Sequence, residues 1–329
     1  MESLNKDNIL KLLQMSRGYI SGQSMCEKFN CSRTAIWKKI NKLRREGYVI
    51  DSITNKGYKL VGSPNSLKVD EITERLVTEG LDYEIKFFGD IDSTNLEIKR
   101  QAENGGKDGL VVISERQTEG RGRRGRDWSS ESTGNVYMSI LLRPEMNPNK
   151  APMITLIMGA AVNKALNELT GANVYIKWPN DIIIHGKKLA GILTEMILET
   201  DYINFIVIGV GINVLQDKFD EEIANKASSV FLETELKIDR AELIVAVLKE
   251  FNILYKQFLE VGNLSFMMPW FNDMLITRHK QVRVISGPNE TTGVSLGVDE
   301  EGELLVETKD GVEKFRAGEI SIRGMDGYI

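Results

Sequence analysis

The sequence predicts an α+β multidomain chain: a winged helix-turn-helix, then a central α+β domain, then a small β-barrel of about 55 residues. Charge gives the first indication, because residues 1–62 hold 12 Lys and Arg against 5 Asp and Glu, and the remaining 267 hold 30 against 42. The basic part carries three short helical patterns followed by a hairpin pattern. In the acidic part, helical and strand patterns alternate until about Leu275, where short strands separated by glycine turns take over. A small basic module joined to a large acidic one suggests two separate tasks.

Asn8 to Met15 spaces Ile9, Leu12 and Leu13 on one helical face. Ser21 to Ser24 caps a second helix, Met25 to Phe29, and Ser32 caps a third. In the third helix Ala35, Ile36, Ile40 and Leu43 point inward, and Arg33, Lys38, Lys39, Lys42, Arg44 and Arg45 point outward. Tyr48–Ile50, a turn at Thr54–Gly57 and Tyr58–Leu60 complete the wing. Such a helix enters a DNA major groove while the wing touches the backbone. The candidate DNA contacts are Ser32, Arg33, Thr34, Lys38 and Lys42 on the helix and Lys56 in the turn. A solvated basic helix in a protein-interaction module would show the same pattern.

Gly62 to Ser66 breaks the pattern, giving expected boundaries of 1–62 for the DNA-binding part, 63–66 for a linker, 67–273 for the central domain and 274–329 for the barrel. Leu67 to Glu79 predicts a helix and Tyr83 to Phe88 a strand. Leu110–Glu115 and Val136–Leu142 are apolar strands, and Ala151 to Leu169 is a long helix. Strands follow at Val174–Trp178, Ile182–His185, Leu189–Leu198 and Asn204–Ile212, then a helix at Asp239–Leu259. Several strands are only a few residues apart, so the sheet should be largely antiparallel. In the last part Val282–Ile285, Thr292–Leu296, Leu304–Glu307 and Val312–Phe315 are the strands.

Composition excludes several classes. With 42% apolar and 27% charged residues the chain is an ordinary globular one. Its longest mostly apolar run, Met153 to Val162, is far shorter than the ~20 residues of a membrane span. The first residues lack a signal-peptide order, and Cys26 and Cys31 are too few to staple the chain, so a reduced, cytoplasmic setting without a membrane is expected. The net charge of −5 would by itself argue against nucleic acid, but it averages over the split.

The chemistry is concentrated in a few segments. Gly120 to Arg126 packs four arginines among three glycines and is followed by Asp127 and Trp128. Self-repulsion and glycine freedom make such a loop costly to order without a polyanion. It fits a loop that folds over a phosphate-bearing ligand, with Trp128 to stack on a base; it also fits a solvated basic loop or an RGG-like nucleic-acid contact. Lys177-Trp178-Pro179-Asn180-Asp181 and Lys188 to Leu193 then offer two lysines on rigid elements, suited to a phosphate and a carboxylate. Asp92-Ser93-Thr94-Asn95 offers hydroxyls and an amide to a ligand, but by itself it reads first as a plain helix N-cap. Gly209 to Asn213 lacks the third glycine of a nucleotide fingerprint.

In order, DSTN, QTEGRGRRGRDW, KWPND, KLAGIL and GVGIN resemble the biotin–protein ligases, and the winged helix in front resembles their bifunctional class, which also represses the biotin operon. The resemblance spans essentially the whole chain and departs at Glu119, where the family commonly has a small residue. It implies a central class II synthetase-like, biotin–lipoate ligase domain and an SH3-like β-barrel. It implies that Ser93, Thr94, Asn95 and Gln117 hold the biotin ring, and that Arg121, Gly122, Arg123 and Lys188 meet its carboxylate and the acyl phosphate. Arg123, Arg126, Trp128, Lys177, Asn180 and Asn213 would bind nucleotide, with Lys188, Arg123 and Lys177 as the catalytic set. Asp181 would bind Mg²⁺, and Glu319 and Arg323 would touch the acceptor protein or ATP.

The implied reaction converts biotin and ATP to biotinyl-5′-AMP and transfers biotin to a lysine of a biotin carboxyl carrier protein of acetyl-CoA carboxylase or pyruvate carboxylase. The adenylate-bound protein would form a homodimer on operator DNA. Neither chemical step needs an enzyme nucleophile, in keeping with only two histidines. They need fixed positive charge and exclusion of water. Alternatives are a lipoate–protein ligase, a ligand-sensing transcription factor without catalysis, and a ligase whose winged helix has another role.

Overall fold

A computed structural model describes residues 4–16, 18–45, 48–62, 67–200, 202–318, 320–324 and 328–329. The expected linker, 63–66, and Glu319 lie outside the described residues. The chain divides into two units, Met1–Ser66 and Leu67–Ile329.

In the first unit, the Asn5 side chain accepts from the Asn8 amide and starts α1 (Lys6–Met15). Ser21 does the same for α2 (Gly22–Phe29), which ends at Asn30 in the left-handed region. Ile9, Leu13, Met25 and Phe29 meet Ile36, Ile40 and Leu43 of α3 (Arg33–Arg45) in a small core. β1 (Val49–Ile53) and β2 (Gly57–Gly62) form the antiparallel hairpin. Arg44, expected to point outward, instead turns to this hairpin, donating from Nη2 to the Ile50 carbonyl at 2.7 Å.

The second unit begins with α4 (Val69–Thr78), β3 (Glu84–Ile91), α5 (Thr94–Glu103), β4 (Leu110–Gln117) and β5 (Val136–Leu142). There follow α6 (Ala151–Thr170), β6 (Tyr175–Lys177), β7 (Asp181–Ile184), β8 (Lys187–Glu199), β9 (Tyr202–Ile212), α7 (Val230–Thr234), α8 (Arg240–Val261) and α9 (Met268–Met274). The seven strands order as β3-β4-β5-β9-β8-β7-β6, and only the β3–β4 pair is parallel. Alternation along β4 explains why both faces of the sheet are covered: Val111 and Ile113 enter the large core with α4, α6 and α8, and Leu110 and Val112 pack with Ile98 and Ala102 of α5. A strand buried on both faces reads as a continuous apolar run, as Leu110–Ile113 does.

The last part is β10 (Gln281–Ser286), β11 (Asn289–Val298), β12 (Leu304–Thr308), β13 (Gly311–Phe315) and β14 (Ile320–Gly324), in the order β13-β12-β11-β10-β14. The expected barrel is therefore corrected to an open antiparallel sheet among the described residues. Closure would need β13 against β14, but these are the two edges, and Gly311–Lys314 of β13 is exposed. β14 and the short α7 and α9 were not anticipated. This sheet docks on the central one: Trp178 Nε1 donates to the Gly302 carbonyl at 3.2 Å, and Asn272 pairs with both backbone groups of Val298.

Candidate active site

The DSTN turn joins β3 to α5. Asp92 is clamped by the Arg100 guanidinium through two bonds of 2.8 Å, which hold its carboxyl below the usual carboxylate range. Ser93 stands at the N-cap of α5, yet its side chain makes no capping bond, so the plain-cap reading gives way to a side chain left facing a cavity. Behind it the Thr94 amide donates to Gln117 Oε1 at 2.8 Å, and Gln117 Nε2 donates to Ser130 Oγ at 2.9 Å. Ser139 Oγ donates to Asn95 Oδ1 at 2.6 Å, and Asn95 Nδ2 donates to Glu195 Oε2 at 2.7 Å. A buried polar network this complete fixes each rotamer. Ser139 and Glu195 escaped the sequence reading; the available signal was a serine in the otherwise apolar Val136–Leu142.

Glycines make room for this arrangement on β8 and β9. A Cβ at Gly209 would lie 2.1 Å from Asn95 Oδ1. Gly191 and Gly211 are register partners across the two strands, and a Cβ on either would meet the Trp128 indole, at 2.9 and 2.5 Å. The GVGIN segment thus supplies a flat floor for Asn95 and Trp128.

Two cavities adjoin here. Ser93, Thr94, Asn95, Gln117, Arg121, Gly122, Arg123 and Lys188 all line a narrow slot of about 50 Å³. Arg123, Arg126, Trp128, Lys177, Asn180 and Asn213 all line a wider cavity of about 740 Å³. Gly122, Arg123, Trp128, Asn180 and Lys188 border both and form the junction. Part of the arginine loop meets acceptors from the protein itself. Gly122 N donates to the Arg126 carbonyl at 2.7 Å, Arg123 donates to Asn180 Oδ1 at 3.0 Å and to the Gly318 carbonyl, and Arg124 donates to Ser321 Oγ at 3.1 Å. Burial lowers the Arg123 pKa from its ordinary value. Glu119 is exposed and borders neither cavity.

In the wide cavity Lys177 is only 3% exposed, and burial lowers its ammonium to about 7 against the pull of Asp181. Lys188 Nζ lies 2.5 Å from Asp181 Oδ1, and the Tyr328 hydroxyl donates to Asp181 Oδ2 at 2.5 Å. Burial opposes the Asp181 charge, but Lys188 and Tyr328 outweigh it and hold the carboxyl below its ordinary value. The expected metal ligand is thus occupied as a counter-charge, and no group of three His, Cys, Asp or Glu side chains suited to a metal occurs among the described residues. Arg323 borders the same cavity, as does Tyr328, which the sequence reading missed. Asn213 is buried and donates to the Ser228 carbonyl at 3.0 Å.

Residues 89–213 match the Biotin/lipoate A/B protein ligase family, 5–59 an HTH domain, and 280–323 the Biotin protein ligase C terminal domain. The chain is 37% identical over 323 residues to the Bifunctional ligase/repressor BirA of Bacillus subtilis, covering 97% of this chain and 99% of that protein. The chain belongs to the biotin–protein ligase family. The Escherichia coli Bifunctional ligase/repressor BirA is 33% identical over 327 residues, 98% of this chain and 99% of that one. Among solved structures, the biotin protein ligase from Aquifex aeolicus in complex with biotin and ATP superposes with a TM-score of 0.65 at 31% identity, covering 73% of this chain and 99% of that one.

In this biotin–protein ligase family member, Gly209→Ala is expected to push the Asn95 side chain out of its bonds to Ser139 and Glu195. The KM for biotin should rise about tenfold, the cost of losing a buried polar contact, while the KM for ATP stays put. Steady-state pyrophosphate exchange with each substrate varied in turn checks this.

In the first unit, Ser32, Arg33, Thr34, Lys38, Lys42 and Lys56 are all exposed. Thr34, Lys38 and Lys42 follow one another at four-residue spacing along one exposed face of α3, Arg33 at its start donates to Gln23 Oε1 at 3.2 Å, and Lys56 stands apart in the hairpin turn. Ser32 Oγ accepts from the Ala35 amide at 3.2 Å, so it is committed to capping α3. Trp37, 53% exposed on α3, was not anticipated as a surface residue.

Proposed function

We propose that the chain activates biotin with ATP and transfers it to a lysine of a carrier protein. The observation that carries this reading is the junction: Lys188 and Arg123 border both the narrow polar slot and the wide basic cavity. Biotin in the slot, held by Ser93, Thr94, Asn95 and Gln117, presents its carboxylate there. ATP in the wide cavity presents its α-phosphate to the same two cations, with Lys177, Arg126, Asn180, Asn213 and Trp128 around the nucleotide. A carboxylate oxygen forms the new bond to the α-phosphorus, pyrophosphate leaves, and the product is biotinyl-5′-AMP. The carrier lysine amine then attacks the acyl carbon, loses a proton, and AMP leaves. Cations preset around the developing phosphoryl charge lower both barriers, and a narrow slot shields the anhydride from water. A bound phosphate also returns charge balance to the buried Lys177.

The residues do not fit a magnesium ion held by the protein, because Asp181 is already paired with Lys188 and Tyr328 and no group of three acidic, His or Cys side chains suited to a metal occurs among the described residues. A divalent cation would be carried by the triphosphate and water.

Biotin-dependent exchange of pyrophosphate into ATP, with lipoate and octanoate as parallel substrates, tests the reading. Exchange with biotin alone supports it, exchange only with lipoate or octanoate replaces the substrate, and none with any of them removes the activity.

The carrier is a biotin carboxyl carrier protein of acetyl-CoA carboxylase or of pyruvate carboxylase. Residues 67–273 do the chemistry, 274–329 close one side of the nucleotide cavity through Ser321 and Arg323, and 1–62 bind DNA. No helix among the described residues is long and apolar enough to cross a membrane, and we place the reaction in the cytoplasm. The outward basic face of α3 suits operator DNA, and a two-fold homodimer of adenylate-bound chains would match a palindromic site. Biotin plus ATP should therefore tighten binding to a biotin-operon promoter fragment by at least about tenfold, about 1.4 kcal/mol. Equal affinity with and without them in a gel-shift titration would refute the coupling.

A further inference from the structure

Tyr328 belongs to none of the motifs and yet sits among the charges of the wide cavity. Its ring centroid is 3.3 Å from Lys177 Nζ and 5.3 Å from the Arg323 guanidinium carbon. Its hydroxyl donates to Asp181 Oδ2 at 2.5 Å. Lys177 is otherwise walled in, with the Asp181 carboxylate as its nearest counter-charge and Lys188, Arg126 and Arg323 facing it as like charges. The ring face is an aromatic substitute for an anion at this ammonium. A phosphoryl oxygen bound to the same ammonium would lie at roughly 2.7–2.9 Å, inside the space that the ring fills.

We propose that Tyr328 sets the affinity of this chain for the nucleotide, holding on Lys177 the place that a phosphoryl oxygen takes, so that ATP binds only by displacing it. The inference rests on the reading of the wide cavity as the nucleotide site. Displacement is a toll on binding that ground and transition states carry alike, so it acts on KM rather than on kcat. The phenol is suited to such a role: burial and then the neighbouring Asp181 push its pKa up, so it stays a neutral donor that an anion can outcompete.

Tyr328→Ala should lower the KM for ATP about three- to thirtyfold, the range that matches a cation–π contact. The kcat of pyrophosphate exchange should stay within about twofold, and the KM for biotin should not move. Tyr328→Phe keeps the ring on Lys177 and frees Asp181, so its KM for ATP should fall between the two. In the unsubstituted protein, nitration of Tyr328 by tetranitromethane, read by peptide mass spectrometry, should rise when ATP is added without biotin. A KM for ATP that rises or stays level in Tyr328→Ala overturns the proposal, as does nitration that ATP leaves unchanged or suppresses. Exchange by the unsubstituted protein with no effect of Tyr328→Ala removes this inference alone. No exchange by the unsubstituted protein removes the underlying reading, and this inference with it.

Discussion

Replacing Lys188 by alanine is expected to cut biotin-dependent pyrophosphate exchange about a hundred- to a thousandfold, a loss of about 2.7–4 kcal/mol of transition-state stabilisation. The expectation follows from placement. Lys188 borders both cavities, and its backbone is pinned by bonds from Lys188 N to the Lys226 carbonyl at 2.8 Å and from Ser228 N to the Lys188 carbonyl at 3.0 Å. Truncation therefore removes the charge and leaves the strand in place. It also strips Asp181 of its 2.5 Å partner, leaving a buried carboxylate that repels incoming phosphate. Lys188→Arg should rescue poorly, because a planar fork cannot occupy the point position of an ammonium at the junction. Circular dichroism separates loss of chemistry from loss of fold. Exchange at the unsubstituted rate by folded Lys188→Ala would remove Lys188 from the mechanism.

Sequence reading worked where the deciding contacts are local. The apolar spacing of Ile36, Ile40 and Leu43 placed α3, and the run of Val136–Leu142, apolar but for Ser139, placed β5, because each pattern follows the period of its own element. The short motifs led to side chains that line the two cavities, since each motif lies on one strand end or turn. What was missed depends on distant partners. Nothing near Ser139 announces that it will meet Asn95, 44 residues away, or that Tyr328 will reach Asp181, 147 away. The protein acceptors of the arginine loop are hidden for the same reason: Gly318 and Ser321 are 195 and 197 residues off. The resemblance offered Asp181 to a metal, and its motif does not show that Tyr328 will donate to it. Closure of the last sheet, too, depends on which edges meet, and strand patterns alone are silent on that.

The second large effect is expected on stability, at the buried pair of Glu115 and Arg240. Arg240, 3% exposed at the start of α8, sends Nη1 and Nη2 to the two Glu115 oxygens at 2.9 and 3.0 Å and Nη1 to the Asn135 carbonyl at 2.8 Å. Glu115 Oε1 also accepts from the Leu67 amide at 2.8 Å, so one carboxylate joins β4, α8 and the approach to α4. Glu115→Ala leaves the guanidinium buried without its counter-charge and should cost about 3–5 kcal/mol. That is a large share of the roughly 5–15 kcal/mol that keeps a domain folded. The penalty comes from stranding a charge rather than from losing an attraction, so removing both charges should hurt less than removing one. Glu115→Leu combined with Arg240→Met is therefore expected to unfold at higher denaturant than Glu115→Ala, while the single Arg240→Met stays low because it strands the carboxylate. Denaturant unfolding of all three variants decides the matter, and a double variant no more stable than the singles would refute it. The effect should reach the site as well. Gln117 follows Glu115 by two residues on β4 and holds the Thr94 amide, so any shift of this strand end loosens the narrow slot, the proposed biotin site, before the domain unfolds. Below its midpoint, Glu115→Ala should show a raised KM for biotin, whereas a rate lost only in step with the folded fraction would confine the pair to stability.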